Sequence, residues 1–136
     1  MIIFGNTLKK NRCENAQLMN REELRSYCLA KKGVTESFPF DETTLVFKVM
    51  NKMFALTDLE EELKVNIKCP PEKAIDLRER YPETVFPGYH MDKRNWNTVF
   101  FNREVDDQTI CEWIDESYDI VVASLPKYKQ REVRGE

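Results

Sequence analysis

At 136 residues, with 41% hydrophobic and 33% charged side chains, the chain has the length and composition of one folded domain rather than a disordered segment. No apolar run approaches the ~20 residues of a membrane helix, and a net charge of −3 argues against a dedicated basic nucleic-acid domain. One histidine and four cysteines without a C-x-x-C pair argue against a structural zinc site, so the cysteines read as four reduced thiols.

The apolar start Met1-Ile2-Ile3-Phe4 has no basic stretch ahead of it, so no signal peptide is expected and a cytoplasmic protein is. Residues 1–18 lack periodicity and read as an N-terminal extension, loose or docked. Asn20 and Glu23 form a capping box that opens a helix over residues 21–32, with the stripe Leu24, Tyr27, Cys28, Leu29 and a stop at Gly33. Phe38-Pro39-Phe40 reads as an edge strand, because proline cannot sit in a central ladder. Residues 44–50 and 53–57 read as a hairpin divided by Asn51-Lys52. The alternation Leu63-Lys64-Val65-Asn66-Ile67-Lys68-Cys69 predicts a half-buried strand, with Leu63, Val65, Ile67 and Cys69 inward and the polar residues outward.

Pro70-Pro71-Glu72 opens a second helix, buried through Ala74, Ile75, Leu77 and Tyr81 and stopped at Pro82. Pro87-Gly88 fits a type II turn, and residues 95–102 read as strand. Asp106 or Asp107 caps a last helix with the stripe Ile110, Trp113, Ile114, Tyr118, Val121, Val122 and Leu125, ended by Pro126. Residues 127–136 read as a frayed basic tail, leaving residues 19–126 as the domain. Consecutive hairpins flanked by helices, without regular βαβ alternation, predict an α+β fold: an antiparallel sheet with helices packed on one face in two layers.

Several of these stretches together resemble one family. They are Glu36-Ser37-Phe38-Pro39-Phe40-Asp41, Val46-Phe47-Lys48-Val49, Lys52-Met53-Phe54-Ala55-Leu56, Pro71-Glu72-Lys73-Ala74 with Leu77-Arg78, Val85-Phe86-Pro87-Gly88-Tyr89-His90-Met91, Lys93 with Trp96, and Ser117-Tyr118. Over roughly residues 20–125, and in order, they are similar to the MmcQ/YjbR family. The resemblance implies a two-layer fold like that of the frataxin homologue CyaY. It also implies DNA binding through a double-wing arrangement of hairpins, a fold-level analogy. Asp92 stands where the family usually has asparagine and Asn95 where it has histidine; both departures work against a nucleic-acid surface.

The residues themselves allow three functions of different classes. Lys48 and Lys52 at a hairpin tip, Lys64 and Lys68 on a strand's polar face, and Lys93 and Arg94 in the loop could neutralise phosphates, while Tyr89 or Trp96 stacks a base and His90 assists. That describes a weak, sequence-tolerant DNA partner. The plainer reading makes Trp96 a core anchor, His90 a local brace and the lysines guards against edge aggregation. A protein-interaction or chaperone-like domain, pairing with another protein or as a homodimer through exposed sheet and the aromatic loop, is the alternative. The acids Asp106, Asp107, Glu112, Asp115, Glu116 and Asp119 could handle a metal, but they suit a helix N-terminus and a solvated face better, so no metal ligand is assigned. No glycine-rich phosphate loop, G-x-S-x-G or close Cys–His pair is present, so no catalytic residue and no cofactor are expected.

Overall fold

The side-chain alternation of the central strands determines which face of the sheet the helices cover. In the computed structural model, which describes residues 18–88 and 91–136, the elements in chain order are α1 (Arg21–Leu29), β1 (Val34–Ser37), β2 (Thr44–Val49), β3 (Lys52–Asp58), β4 (Lys64–Lys68), α2 (Pro71–Arg80), β5 (Val85–Pro87), β6 (Trp96–Phe100), α3 (Asp107–Ala123) and α4 (Lys127–Arg134). The strands form one open sheet in the order β1-β2-β3-β4-β6-β5, antiparallel at every pairing. This is the expected α+β fold. Leu45, Phe47, Val49, Val65, Ile67 and Val99 join Leu24, Cys28, Ala74, Leu77, Ile110, Ile114 and Val133 from the helices in one core. On the opposite face Val46, Leu56 and Trp96 form a smaller cluster, with Met53 and Met91 packed against it.

Leu63, Val65, Ile67 and Cys69 are buried as expected. Lys64, Asn66 and Lys68 are half-buried rather than fully exposed, because Phe100, Thr98 and Trp96 stand opposite them on β6. In α3, Asp106 is the N-cap, accepting from the Thr109 amide at 2.8 Å, and Trp113 is buried against Tyr81. Trp96 is the anchor of the helix-free face.

The β2–β3 hairpin contains the irregularity that organises the core. Phe47 pairs with Ala55 but Lys48 pairs with Met53, so Phe54 is an extra residue in β3. Such a bulge turns two neighbouring side chains off the simple alternation; Phe54 and Ala55 are both fully buried in the helix-side core. β3 and β4 pair through Ala55–Ile67 and Leu56–Asn66, and the next rung would join Phe54 to Lys68. Instead the buried Ser117 hydroxyl of α3 stands between them. It donates to the Phe54 carbonyl at 2.6 Å and accepts from the Lys68 amide at 2.8 Å.

Several local expectations shift. The edge strand is Val34–Ser37, not Phe38-Pro39-Phe40; Phe38 and Phe40 lie in the following loop, 47% and 61% exposed. The Asp41 carboxylate shapes that loop by accepting from the Thr43 and Thr44 amides at 3.0 and 2.7 Å. The hairpin turn is Met50-Asn51, one residue early, with both residues at positive φ (48° and 71°). Helix α1 stops at Leu29, and Gly33 (φ 75°) begins the turn into β1. Ile75 faces solvent at 53% exposure.

Gly88 is not at positive φ, so Pro87-Gly88 is no type II turn; a Cβ there would stand 2.7 Å from the Trp96 Cβ, and close approach is what needs the glycine. Residues 127–134, expected to fray, form α4, because Val133 reaches the core and Gln130 donates to the Leu125 carbonyl at 2.8 Å. Cys28 and Cys69 are free and buried, whereas Cys111 is disulfide-bonded, contrary to four reduced thiols.

Ser117→Ala should leave the Phe54 carbonyl and the Lys68 amide without partners. At about 1–3 kcal/mol for each orphaned buried group, urea unfolding should register a loss well outside error. A loss under about 0.5 kcal/mol would mean that the ladder closes without the hydroxyl.

Candidate nucleic-acid interface

Strand direction decides which of the expected cations meet. β2 runs toward the Met50-Asn51 turn, β4 ends at that same end of the sheet and β6 begins there. Lys48 and Lys52 of the hairpin, Lys68 at the end of β4, and Lys93 and Arg94 before β6 therefore share one end. Lys64 starts β4 and lies at the other, roughly 13 Å away at about 3.3 Å per residue. Tyr89 and His90 lie outside the described residues.

The loop carrying Lys93 and Arg94 is held from below by Arg78, in the last turn of α2. Its Nε donates to the Asn97 Oδ1 at 2.7 Å, and its Nη2 donates to the carbonyls of Lys93 and, at 3.3 Å, Trp96. Asn97 is buried and donates in turn to the Ala74 carbonyl at 3.3 Å. Within the loop the Asp92 carboxylate accepts from the Arg94 amide at 3.0 Å, and the Asp92 carbonyl accepts from the Asn95 and Trp96 amides. The hydrogen bonds to the carboxylate, from the Arg94 amide foremost and then from the Arg94 side chain, hold the Asp92 carboxyl below the usual carboxylate range. The Cys69 amide donates to the Asn95 carbonyl at 2.7 Å, tying the loop to the end of β4. The side chains of Lys93 and Arg94 are left exposed.

The two ends differ in charge. Lys48, Lys52, Lys68 and Lys93 form no ion pair among the described residues, and Arg94 makes only an exposed contact with Asp92 at 3.4 Å. Lys64 is engaged by Glu61, its side chain only 14% exposed, so it is poorly placed to meet a phosphate. Beside it Arg103 grips Glu62 with two hydrogen bonds of 2.9 and 2.7 Å and lies 3.9 Å over the Phe100 ring. Asp41, Glu42, Asp58 and Glu60 also belong to this far end of the strands.

The acids of α3 are distributed rather than clustered. Asp106 caps the helix, Asp115 takes Lys31 and the Tyr27 hydroxyl, and Glu116 pairs with Lys73 at 2.8 Å. Among the described residues no group of three or more His, Cys, Asp or Glu side chains could hold a metal ion. Burial pushes the Cys28 thiol up to about 12 and the Cys69 thiol to about 11, which keeps both protonated and poorly nucleophilic at neutral pH. No helix among the described residues is long and apolar enough to cross a membrane.

In the sequence Arg78 and Ser117 stand out only among the residues that carry the family resemblance, with no role attached. Both act through partners distant in sequence, and local periodicity carries no signal for them.

A family model described as YjbR matches residues 29–120. The chain is 33% identical over 114 residues to the uncharacterised protein YjbR of Escherichia coli K12, covering 83% of this chain and 96% of that one. It is 26% identical over 118 residues to the uncharacterised protein YyaQ of Bacillus subtilis, covering 76% and 98%. The crystal structure of Deinococcus radiodurans protein DR2400, described as a DUF419 domain, superposes with a TM-score of 0.79 at 35% identity, covering 85% of this chain and 88% of that one. A Pseudomonas syringae protein shares the fold at a TM-score of 0.64 and 24% identity, covering 75% and 98%.

Arg78→Lys cannot reproduce the forked contacts to Asn97 and Lys93. It should cost about 1–3 kcal/mol and speed amide exchange in residues 91–95 more than elsewhere; uniform exchange would show that the loop does not depend on it. The Asp92 turn carries a sign as well. Its folded pKa is depressed, so its contribution is complete at neutral pH and is lost only as pH falls through that lowered value, below about pH 4. An Arg94 amide resonance that titrates at or above the ordinary carboxylate pKa would contradict this.

Proposed function

The chain belongs to the YjbR family, and we propose that it is a non-enzymatic, cytoplasmic binding domain that takes nucleic acid, weakly and without strong sequence preference, on the basic end of its sheet. The observation that carries this reading is the convergence of Lys48, Lys52, Lys68, Lys93 and Arg94 at one end, four of them without an ion pair among the described residues. Lys52, Lys93 and Arg94 are exposed and Lys48 and Lys68 half-buried; solvent-accessible cations on rigid elements are what phosphate neutralisation requires, and the counterions they displace from the polymer drive association. The Met50-Asn51 hairpin is one arm of the surface and the Arg78-held loop is the other. Lysines and an arginine at strand ends and in loops read backbone charge rather than base edges, so contact of this kind is sequence-tolerant.

The net charge of −3 limits affinity and also orients the molecule. The acid-rich end of the strands is repelled by a polyanion while the basic end is drawn to it. Asp92 tempers the basic end from inside, because its carboxylate sits beside Arg94.

The test is fluorescence anisotropy with two unrelated DNA duplexes at low and moderate salt. Expected dissociation constants are about 10⁻⁴–10⁻⁶ M, similar for both and weakening linearly on a log–log salt plot. Replacing Lys93 and Arg94 together by alanine should flatten the salt slope by up to about two units. Asp92→Asn keeps an acceptor for the Arg94 amide and removes a negative charge, so it should tighten binding at low salt. Dissociation constants above about 10⁻³ M at low salt, outside the non-specific range, would reject the proposal.

A further inference from the structure

The nucleic-acid reading leaves unused the three features on the β1 side of the molecule. β1 is an edge strand, and no described residue other than those of β2 hydrogen-bonds its backbone. Unpaired edge backbone is a template for strand addition. At the far end of β1, Phe38 and Phe40 are 47% and 61% exposed. Their loop is held by the Asp41 carboxylate rather than free to fold them away.

At the near end of β1 lies a hollow of about 630 Å³ between the helices, floored by Ala30, Tyr118, Val122 and Val133 and rimmed by Lys32 and Arg134. Lys31 on its wall is already paired with Asp115, and Asp119 also borders it.

We propose that the occupant of this hollow is the Phe38–Phe40 loop of a second copy of the chain, brought there by antiparallel pairing of the two β1 edges. The geometry follows from β1 alone. In a two-fold antiparallel pair with Thr35 at the axis, Glu36 of one copy stands opposite Val34 of the other, so the residues after Ser37 run alongside Lys32 and Lys31 of the first. Loop and hollow lie at opposite ends of a four-residue strand, roughly 10 Å long, so the Phe38–Phe40 loop of one molecule cannot reach that molecule's own hollow, whereas in the two-fold pair each loop meets the partner's hollow. Val34 packs toward the helix-side core, and Glu36 meets Arg25 of α1. Phe38 continues that alternation toward the layer that holds the hollow and stands opposite Lys32 on its rim.

The charges match as well. Asp41 and Glu42 flank the aromatic pair, and Lys32 and Arg134 form the basic rim that would receive them. The contact is isologous and closed, so it ends at a dimer rather than a fibre. It uses neither the basic end nor the Arg78-held loop, and it stands or falls separately from nucleic-acid binding.

Sedimentation equilibrium of the full chain should show a mass rising with concentration from the 16.2 kDa protomer toward twice that value and no further. Phe38→Ser with Phe40→Ser alters exposed side chains and should weaken association at least about tenfold with the circular dichroism spectrum unchanged. Lys32→Glu and Glu42→Lys should each weaken it, and the double substitution should restore it, because each reversal is then matched across the interface. A protomer mass at all concentrations up to about 1 mM would overturn the proposal. So would self-association indifferent to the phenylalanine pair, or a charge-reversed double variant no better than the singles.

Discussion

The hydrogen bonds of Ser117 are the constraint on which the rest of this structure depends. A bulge at Phe54 turns two consecutive side chains into the core and separates the backbone groups that would have closed the next rung with Lys68. Leaving them open would bury two unsatisfied polar groups under a helix. The serine supplies one donor and one acceptor between the two strands, and α3 lies directly on β3 and β4. From there the order propagates. Phe54 meets Tyr118 edge to face at 5.3 Å, and the Tyr118 hydroxyl donates to the Lys32 carbonyl at 2.5 Å, so the turn into β1 is located by the same helix.

Building the sheet entirely from antiparallel neighbours has an electrostatic consequence. Because the strands reverse at each connection, charges far apart in the sequence collect at one end or the other. Lys48, Lys68 and Lys93 come together from three separate segments, while Glu42, Asp58 and Glu61 gather opposite. A protein of small net charge thereby acquires an uneven distribution of charge between the two ends of its sheet. Arg78 helps to maintain it by fixing the backbone on which Lys93 stands.

The two faces of the sheet are used differently. The helix side is a continuous apolar core, whereas the opposite side is closed only around Val46, Leu56 and Trp96 and otherwise carries half-buried polar side chains. Antiparallel sheets permit this asymmetry because one pleat face can be solvated. Two of the exposed large apolar side chains, Phe38 and Phe40, lie at the margin, in the loop after β1, where the unpaired edge also lies.

The sequence by itself determined the α+β class, the β4 alternation, the α3 stripe and the Asn20 cap, because each of these is written in spacings of a few residues, and the family resemblance through segments matched in order; that Asp106 rather than Asp107 caps α3 was decided by the structure. The inward set Leu63, Val65, Ile67 and Cys69 follows from a period of two and needs no partner to be known. Tertiary structure alone decided the rest. The hairpin turn moved to Met50-Asn51 because a bulge several residues away altered the pairing, and Phe38-Pro39-Phe40 fell outside the edge strand because β1 pairs with β2 one segment earlier.

Residues 127–134 became a helix because Val133 found the core, although their own composition is polar. Ser117 acquired its role from groups 49 and 63 residues away, and Lys64 was taken from the expected interface by a local carboxylate and an aromatic ring from β6. Periodicity reports which way a side chain points. Which partner it meets is settled only when the chain closes on itself.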